Sequence, residues 1–249
     1  MSNPALVSLT FDDGLRCQFE KAVPILDRYG IPATFFLIAN QEHTHDRWLG
    51  HTNDRWKIDW RDDDIGMLRE LVQKGHEVGS HSVTHHPIKM LLQPDVEARE
   101  SKRLIEAWLG VKVASFCYPF FCSHAYLAKA VKKAGYEQAR GGGPPTYYGA
   151  QTSFPIPSHG AKLDLFDVHC RVISRNENVQ QWIRPGCWHI LNFHGIGDER
   201  DGWRPITVTQ FRQQIEELAR HRDASSVEVV TFKQGAERSR VQRDLPEGQ

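Results

Sequence analysis

The sequence predicts a single-domain α/β barrel, and three observations predict it. Short β-type runs alternate with amphipathic helical stretches along most of the chain, which implies parallel strand pairing. Seven or eight such units fit into about 230 residues, the size of one closed or nearly closed (β/α) barrel; an open doubly wound sheet is the alternative. No internal repeat and no linker interrupts the 249 residues. Residues 1–249 therefore read as one domain, with a core over about 5–235 and a polar tail, 239–249, that is expected to fray.

The elements follow in order. Ala5 to Phe11 alternates as a strand, Phe19 to Tyr29 is an amphipathic helix, and Ala33 to Ala39 (ATFFLIA) is an apolar run of the kind buried on both faces of a parallel sheet. Asp63 to Lys74 reads as a helix closed by Gly75, His76 to His81 as a strand, Asp95 to Leu109 as a helix closed by Gly110, and Ala114 to Phe120 as a strand. Helix His124 to Ala134, a short strand at Glu137 to Arg140, a strand at Leu165 to Ile173 and helix Val179 to Ile183 come next. Strand Cys187 to Phe193, helix Val208 to Arg220 and strand Val227 to Phe232 complete the core. Two long irregular stretches, Asn40 to Asp62 and Gly141 to Asp164, break the rhythm, and loops of that length in a compact domain are commonly functional.

Composition removes several classes of partner. Lys+Arg and Asp+Glu both total 31, so no net field draws the chain to nucleic acid or to a membrane surface. No apolar run reaches the roughly 20 residues of a membrane span, and residues 1–4 lack a secretory start. The expectation is a cytoplasmic protein, although a secreted form trimmed of its leader would read the same. The five cysteines form no CxxC pair, so neither a disulfide framework nor a thiolate zinc site is suggested.

The chemistry-bearing residues collect at strand ends, on the rim where such barrels work. LVSLTFDDG ends its strand on Asp12 and Asp13. Two carboxylates in one desolvated pocket raise each other's pKa, and a divalent cation resolves the conflict by binding one of them. The other is then free to take a proton from the attacking water. HSVTH supplies His81 and His85, the one i,i+4 histidine pair among 13 histidines, where about 0.7 is expected by chance. Two histidines and a carboxylate form a hydrolytic zinc-type donor set. ILNFHG delivers His194 at another strand end, as a general acid for a departing amine or alkoxide. Each motif alone also fits a structural role: turn or helix cap for Asp-Asp-Gly, core or surface imidazole for the histidines. His76 and His86 read as structural.

Together these residues resemble the polysaccharide deacetylases of carbohydrate esterase family 4, which includes chitin, peptidoglycan and acetylxylan deacetylases. The resemblance runs from about Leu6 to Phe232. Its TFDDG motif falls on Thr10 to Gly14, which implies Asp12 as base and Asp13 as metal ligand. HSxxH falls on His81, Ser82 and His85, implying two further ligands, and LxxH on Leu191 and His194, implying an apolar wall for the acetyl methyl and the acid. The resemblance further implies a distorted (β/α)7 barrel, a Zn2+ ion or another divalent metal such as Co2+, Ni2+ or Mn2+, an acetylated saccharide as substrate, and a backbone N–H near Tyr118 for the oxyanion.

Two departures stand out. The family's third motif places an Arg two residues before Pro; FCYPF, Phe116 to Phe120, has Cys117 there, so the base loses its cation unless Arg140 after the next strand substitutes. The fourth motif, an Asp and a Trp that orient the acidic histidine, has no clear counterpart between Ser158 and Arg171, where Asp164, Asp167 and His169 are candidates. Tyr118, Pro119 and Phe120 are expected to contact substrate, and Trp48, Trp56 and Trp60 to offer stacking faces to pyranose rings or else to cover the barrel mouth. A related amidohydrolase acting on a non-sugar amide, such as a ureide or formamide, and a silent carbohydrate-binding homologue are the alternatives. Oligomeric state is not encoded in any of these features.

Overall fold

Strand β1 (Ala5–Phe11) is buried along its whole length and lies at the centre of the sheet. The computed structural model describes residues 3–39, 57–141, 156–157, 163–175 and 177–241. Within them β1 is followed by β2 (Thr34–Leu37), β3 (Glu77–Ser80), β4 (Ser115–Cys117), β5 (Gln138–Gly141), β6 (Ile156–Pro157), β7 (Val168–His169), β8 (Arg171–Val172), β9 (Cys187–Phe193) and β10 (Val227–Val229). The helices are α1 (Val23–Tyr29), α2 (Asp62–Gln73), α3 (Pro87–Leu92), α4 (Pro94–Leu109), α5 (Ala125–Lys133), α6 (Val208–Asp223) and α7 (Phe232–Val241).

Parallel pairing runs β1–β2–β3–β4–β5–β7. One residue beyond β7, β8 pairs in parallel with β9, which pairs with β1. β7 and β8, broken at Cys170, thus act as one position and close a ring of seven, the distorted (β/α)7 barrel. β6 adds to β9 antiparallel, and β10 pairs with the first residues of β1.

The two-residue period of the strands sorts their side chains. Phe11, Phe35, Phe193 and Phe211 stack on the helix side, with Phe11 4.8 Å from Phe35 and 5.4 Å from Phe193. The alternate positions, Ser8, Thr10, Asn192, Cys117 and Arg140, are buried and bond with one another or with chain across the lumen. The barrel interior is therefore a polar ladder, and Asp12 is its top rung.

Several expected elements differ. The Phe19 to Tyr29 helix begins with a π-helical stretch, Gln18–Ala22. Leu165 to Ile173 is a strand broken at Cys170, and Pro119–Phe121 is a 3₁₀ turn rather than strand. The last expected strand stops at Val229, and Phe232 opens α7, which extends into the tail expected to fray. Phe232 and Ala236, one turn apart, form the buried stripe of that helix. Gly235 brings its backbone onto the Trp188 ring, where a Cβ would sit 2.4 Å from the indole. Among the described residues no helix is long and apolar enough to cross a membrane.

Candidate active site

Asp12 and Asp13 leave β1 in opposite directions. Asp12 continues the strand, donates its N–H to Phe193 O (3.2 Å) and turns its carboxylate into the lumen. Asp13 has φ 75°, a left-handed value that L-residues rarely adopt, and Gly14 follows at 69°. That reversal sends the second carboxylate to the histidine loop. Of the eight non-glycine residues with positive φ among the described residues, five surround this rim: Asp13, Ser82, His85, Phe120 and Phe121. Backbone strain so concentrated is a mark of a functional site.

Asp13 Oδ1 lies 3.4 Å from His81 Nε2 and 3.5 Å from His85 Nε2. His81 Nδ1 donates to Cys117 O (2.9 Å), which turns Nε2 toward Asp13. Burial acts to lower the His81 imidazole, but Cys117 and the Asp13 hydrogen bond carry its pKa well above the ordinary value, so without an ion the ring keeps both protons. Burial pushes the His85 imidazole down to about 4, so His85 presents a neutral nitrogen. Burial acts to raise the Asp13 carboxyl, but the His81 hydrogen bond and neighbouring imidazoles hold it well below the usual range. Donor atoms of Asp13, His81 and His85 all lie within 4.8 Å of one another, the spacing of a metal site. Two converging imidazole Nε2 atoms and an ionised carboxylate suit a divalent transition metal, which would bind in place of the His81 Nε2 proton.

The surroundings of Asp12 are different. Nη2 of Arg140 donates to both of its oxygens, and Asn192 Nδ2 donates to Oδ2 (3.0 Å). Cys117 and Arg140 are register partners on β4 and β5. The cation missing from the Cys117 position therefore enters one strand over and reaches the same carboxylate. Its fork also donates to Cys117 Sγ (2.7 Å) and Cys170 Sγ (2.6 Å), and its plane lies 5.3 Å from the Phe36 and Phe121 rings. Burial alone would raise Asp12; the Arg140 charge, with the His81 and His194 imidazoles behind it, more than offsets it, so the carboxyl stays ionised below the ordinary range.

His194 Nε2 is 3.6 Å from Asp12 Oδ2. Its Nδ1 is buried and has no hydrogen-bond partner among the described residues, and Asp164, Asp167 and His169 do not supply one. Asp164 caps a turn at Phe166 N, and Asp167 pairs with His169 at 3.5 Å. Trp203, from the loop after β9, instead packs edge-on at 4.7 Å and orients the ring. Burial lowers the His194 pKa despite both nearby carboxylates.

Several residues expected to meet substrate do not face this pocket. Tyr118 is wholly buried, its hydroxyl donates to Phe166 O and its N–H to Arg140 O, so that N–H is spent in the sheet. Leu191, 1% exposed, alternates away from Asn192 into the helix-side core. Trp60 is also core: its Nε1 donates to Ile38 O and its ring lies 4.4 Å from Trp108. Pro119 is buried, whereas Phe120 is 38% exposed with its ring 4.6 Å from His85. Trp48 and Trp56 lie outside the described residues. His76 and His86 are structural: His76 accepts from Ala33 N and bonds Asp27, and His86 caps α3.

Sequence reasoning missed Asn192 and Gln18. Gln18, at the start of the π-helical stretch, donates to Asp12 O (2.6 Å) and His194 O (3.0 Å) and so clamps the two strand ends together. Nothing local marks it.

The rim of this barrel thus gathers two histidines and a carboxylate on one side and a second carboxylate with its guanidinium on the other. The polysaccharide deacetylase family model matches residues 2–139, more than half of the chain, and the chain belongs to that family. It is 30% identical over 109 residues to a chitooligosaccharide deacetylase of Sinorhizobium fredii, and 27% identical over 133 residues to a Bacillus subtilis protein named for the family, YxkH. Those matches cover 43% and 53% of this chain but only 40% and 42% of the relatives. Among solved structures, an acetyl xylan esterase from Clostridium thermocellum, in complex with a cobalt ion, superposes with TM-score 0.55 at 19% identity over 93% of this chain and 90% of its own. A Bacillus anthracis pseudoenzyme superposes equally well, TM-score 0.55 at 17% identity over 94% of this chain and 66% of its own. The fold is shared by both, so activity must be argued from the site.

Proposed function

We propose that this protein is a metal-dependent hydrolase that removes an acetyl group from an N- or O-acetylated saccharide. The observation that carries it is the convergence of Asp13 Oδ1 with the Nε2 atoms of His81 and His85, beside a second carboxylate that has its own cation. Asp13, His81 and His85 hold the ion, taken as Zn2+ or a similar divalent metal. A divalent ion there supplies Lewis acidity, polarising an acyl carbonyl and making water nucleophilic near neutral pH. Asp12 takes the proton of the attacking water; Arg140 keeps it ionised and Asn192 fixes its oxygen. His194 Nε2, 3.6 Å from Asp12 Oδ2, takes over the proton that Asp12 removes from water and passes it to the departing nitrogen or oxygen, so a ring that rests neutral serves as the acid. Phe120 lies beside His85 as an exposed apolar face for the substrate.

The test is acetate release by the metal-loaded protein from N-acetylglucosamine mono- and oligomers, acetylated xylo-oligomers and a simple aryl acetate, with chelated protein as blank. Metal-dependent acetate from one sugar class is expected and identifies the substrate. Metal bound but no acetate from any of them would sink the reading and direct attention to formyl and ureide substrates.

A further inference from the structure

The loop between β3 and α3 must place two imidazoles on one carboxylate, and it does so in conformations it resists: Ser82 has φ 67° and His85 φ 54°. Such values persist only where surrounding bonds over-determine them. Some of those bonds are internal. His85 N donates to Ser82 Oγ (2.9 Å), and Ser82 O accepts from Ala39 N (3.0 Å).

The rest come from one side chain twelve residues beyond His85. Glu97, in the first turn of α4, is 3% exposed. Its Oε2 accepts from Val83 N (3.0 Å) and Thr84 N (2.9 Å), and its Oε1 from Thr84 Oγ1 (2.9 Å). A glutamate in a first turn is ordinarily explained by the helix's own free N–H groups. Here both oxygens leave the helix and bind the two residues midway between the histidines. No Lys, Arg or His forms an ion pair with Glu97 among the described residues, and its side-chain hydrogen bonds go to this loop. α4 is rigidly seated, with Ala98, Ser101 and Ile105 buried behind Glu97.

We infer that Glu97 is a positioning residue for metal binding: it clamps Val83 and Thr84 so that His81 and His85 converge on Asp13 before an ion arrives. The inference rests on the metal centre of the proposed function. Partners of this kind, one step behind the ligands, typically change metal affinity by about 10–100-fold.

The experiment titrates the metal-free protein with Co2+, following the ligand-field absorption, for wild type, Glu97→Leu and Thr84→Ala. The leucine of E97L nearly keeps the volume but offers no acceptor to Val83 N, Thr84 N or Thr84 Oγ1. Co2+ affinity is expected to fall about 10–100-fold in E97L and less in T84A, which loses one of the three bonds, with metal-free melting curves lowered too little to account for it. Equal Co2+ affinity in all three proteins overturns the role of Glu97 and leaves the metal centre standing. A melting loss that accounts for the whole affinity change overturns it as well, by making Glu97 merely structural. Should E97L fail to fold, T84A decides alone. No Co2+ binding by wild type overturns both this role and the metal centre beneath it.

Discussion

Asp12 and Asp13 are adjacent in sequence and opposite in surroundings. Asp13 faces a site built almost entirely by one short loop, with both histidines four residues apart and the backbone forced into left-handed turns to aim them. Asp12 faces a network drawn from β4, β5 and β9, residues 105 to 180 positions away. The first half sets an ionised carboxylate against two imidazoles, one of which, His81, holds its proton strongly; the second contains a permanent cation, the Arg140 guanidinium. Two like charges coexist on neighbouring residues because each has its own counter-charge.

That division is broken most directly by treating the two aspartates alike. Asp12→Asn should retain metal and lower turnover by about 10²–10⁴-fold, the usual worth of a positioned base. Asp13→Asn should lose metal. In melting curves, an ion at 100 times its dissociation constant raises stability by about 2.7 kcal/mol; the rise should survive in D12N and vanish in D13N. If both variants lost the metal-dependent rise, the two carboxylates would share one ion and the division would fail.

Arg140→Met probes the other half. Removing one partner of a buried ion pair typically costs about 3–5 kcal/mol, measurable by urea denaturation at neutral pH. The sign with pH follows from the depressed Asp12 pKa. The pair's contribution is complete above the ordinary carboxylate pKa and is lost as pH falls through the folded value, so the gap between wild type and R140M should close on acidification. Without the cation, burial is opposed only by the nearby imidazoles and the Asn192 hydrogen bond, so the Asp12 pKa rises and the acid limb of the pH–rate profile should move to higher pH. Arg140→Lys, which keeps the charge, should hold the limb nearer wild type. An unmoved limb in R140M would mean that Arg140 does not set the state of Asp12.

The same contrast explains what could be read in advance. TFDDG and HSVTH were legible because their geometry is local: strand end, turn and spacing lie within a few residues of one another. Cys117 was legible as a gap, and Arg140 after the next strand as the side chain that could fill it. That it does so depends on β4–β5 register, which pairs Cys117 with Arg140, and no single-sequence pattern states register. Tyr118 and Leu191 carried the right motif positions yet face the helix-side core, because the strand period sends residues flanking Cys117 and Asn192 the other way. α7 was missed since its two apolar contacts, Phe232 and Ala236, are too few to show a period in a polar stretch. The strands and most of their boundaries were readable from the apolar runs; the lumen network, whose members are single polar residues on separate strands, was not.

Asn192 is the finest test of the division, because it touches Asp12 without carrying charge. Its Oδ1 accepts from Thr10 Oγ1 (3.0 Å), which orients the amide so that Nδ2 donates to Asp12 Oδ2 (3.0 Å). Asn192→Leu keeps the volume, removes one hydrogen bond to a carboxylate, and leaves Arg140 in place. A hydrogen bond to the charged form lowers a pKa, so its loss should move the acid limb upward, by less than in R140M. Turnover should fall by about 10-fold, the worth of one such bond at roughly 1.5 kcal/mol. Metal affinity should not change, since no atom of Asn192 bonds the Asp13 side. A limb shift in N192L as large as that of R140M would show that the amide, and not the guanidinium, governs the base; a fall in metal affinity would show that the two halves are mechanically one.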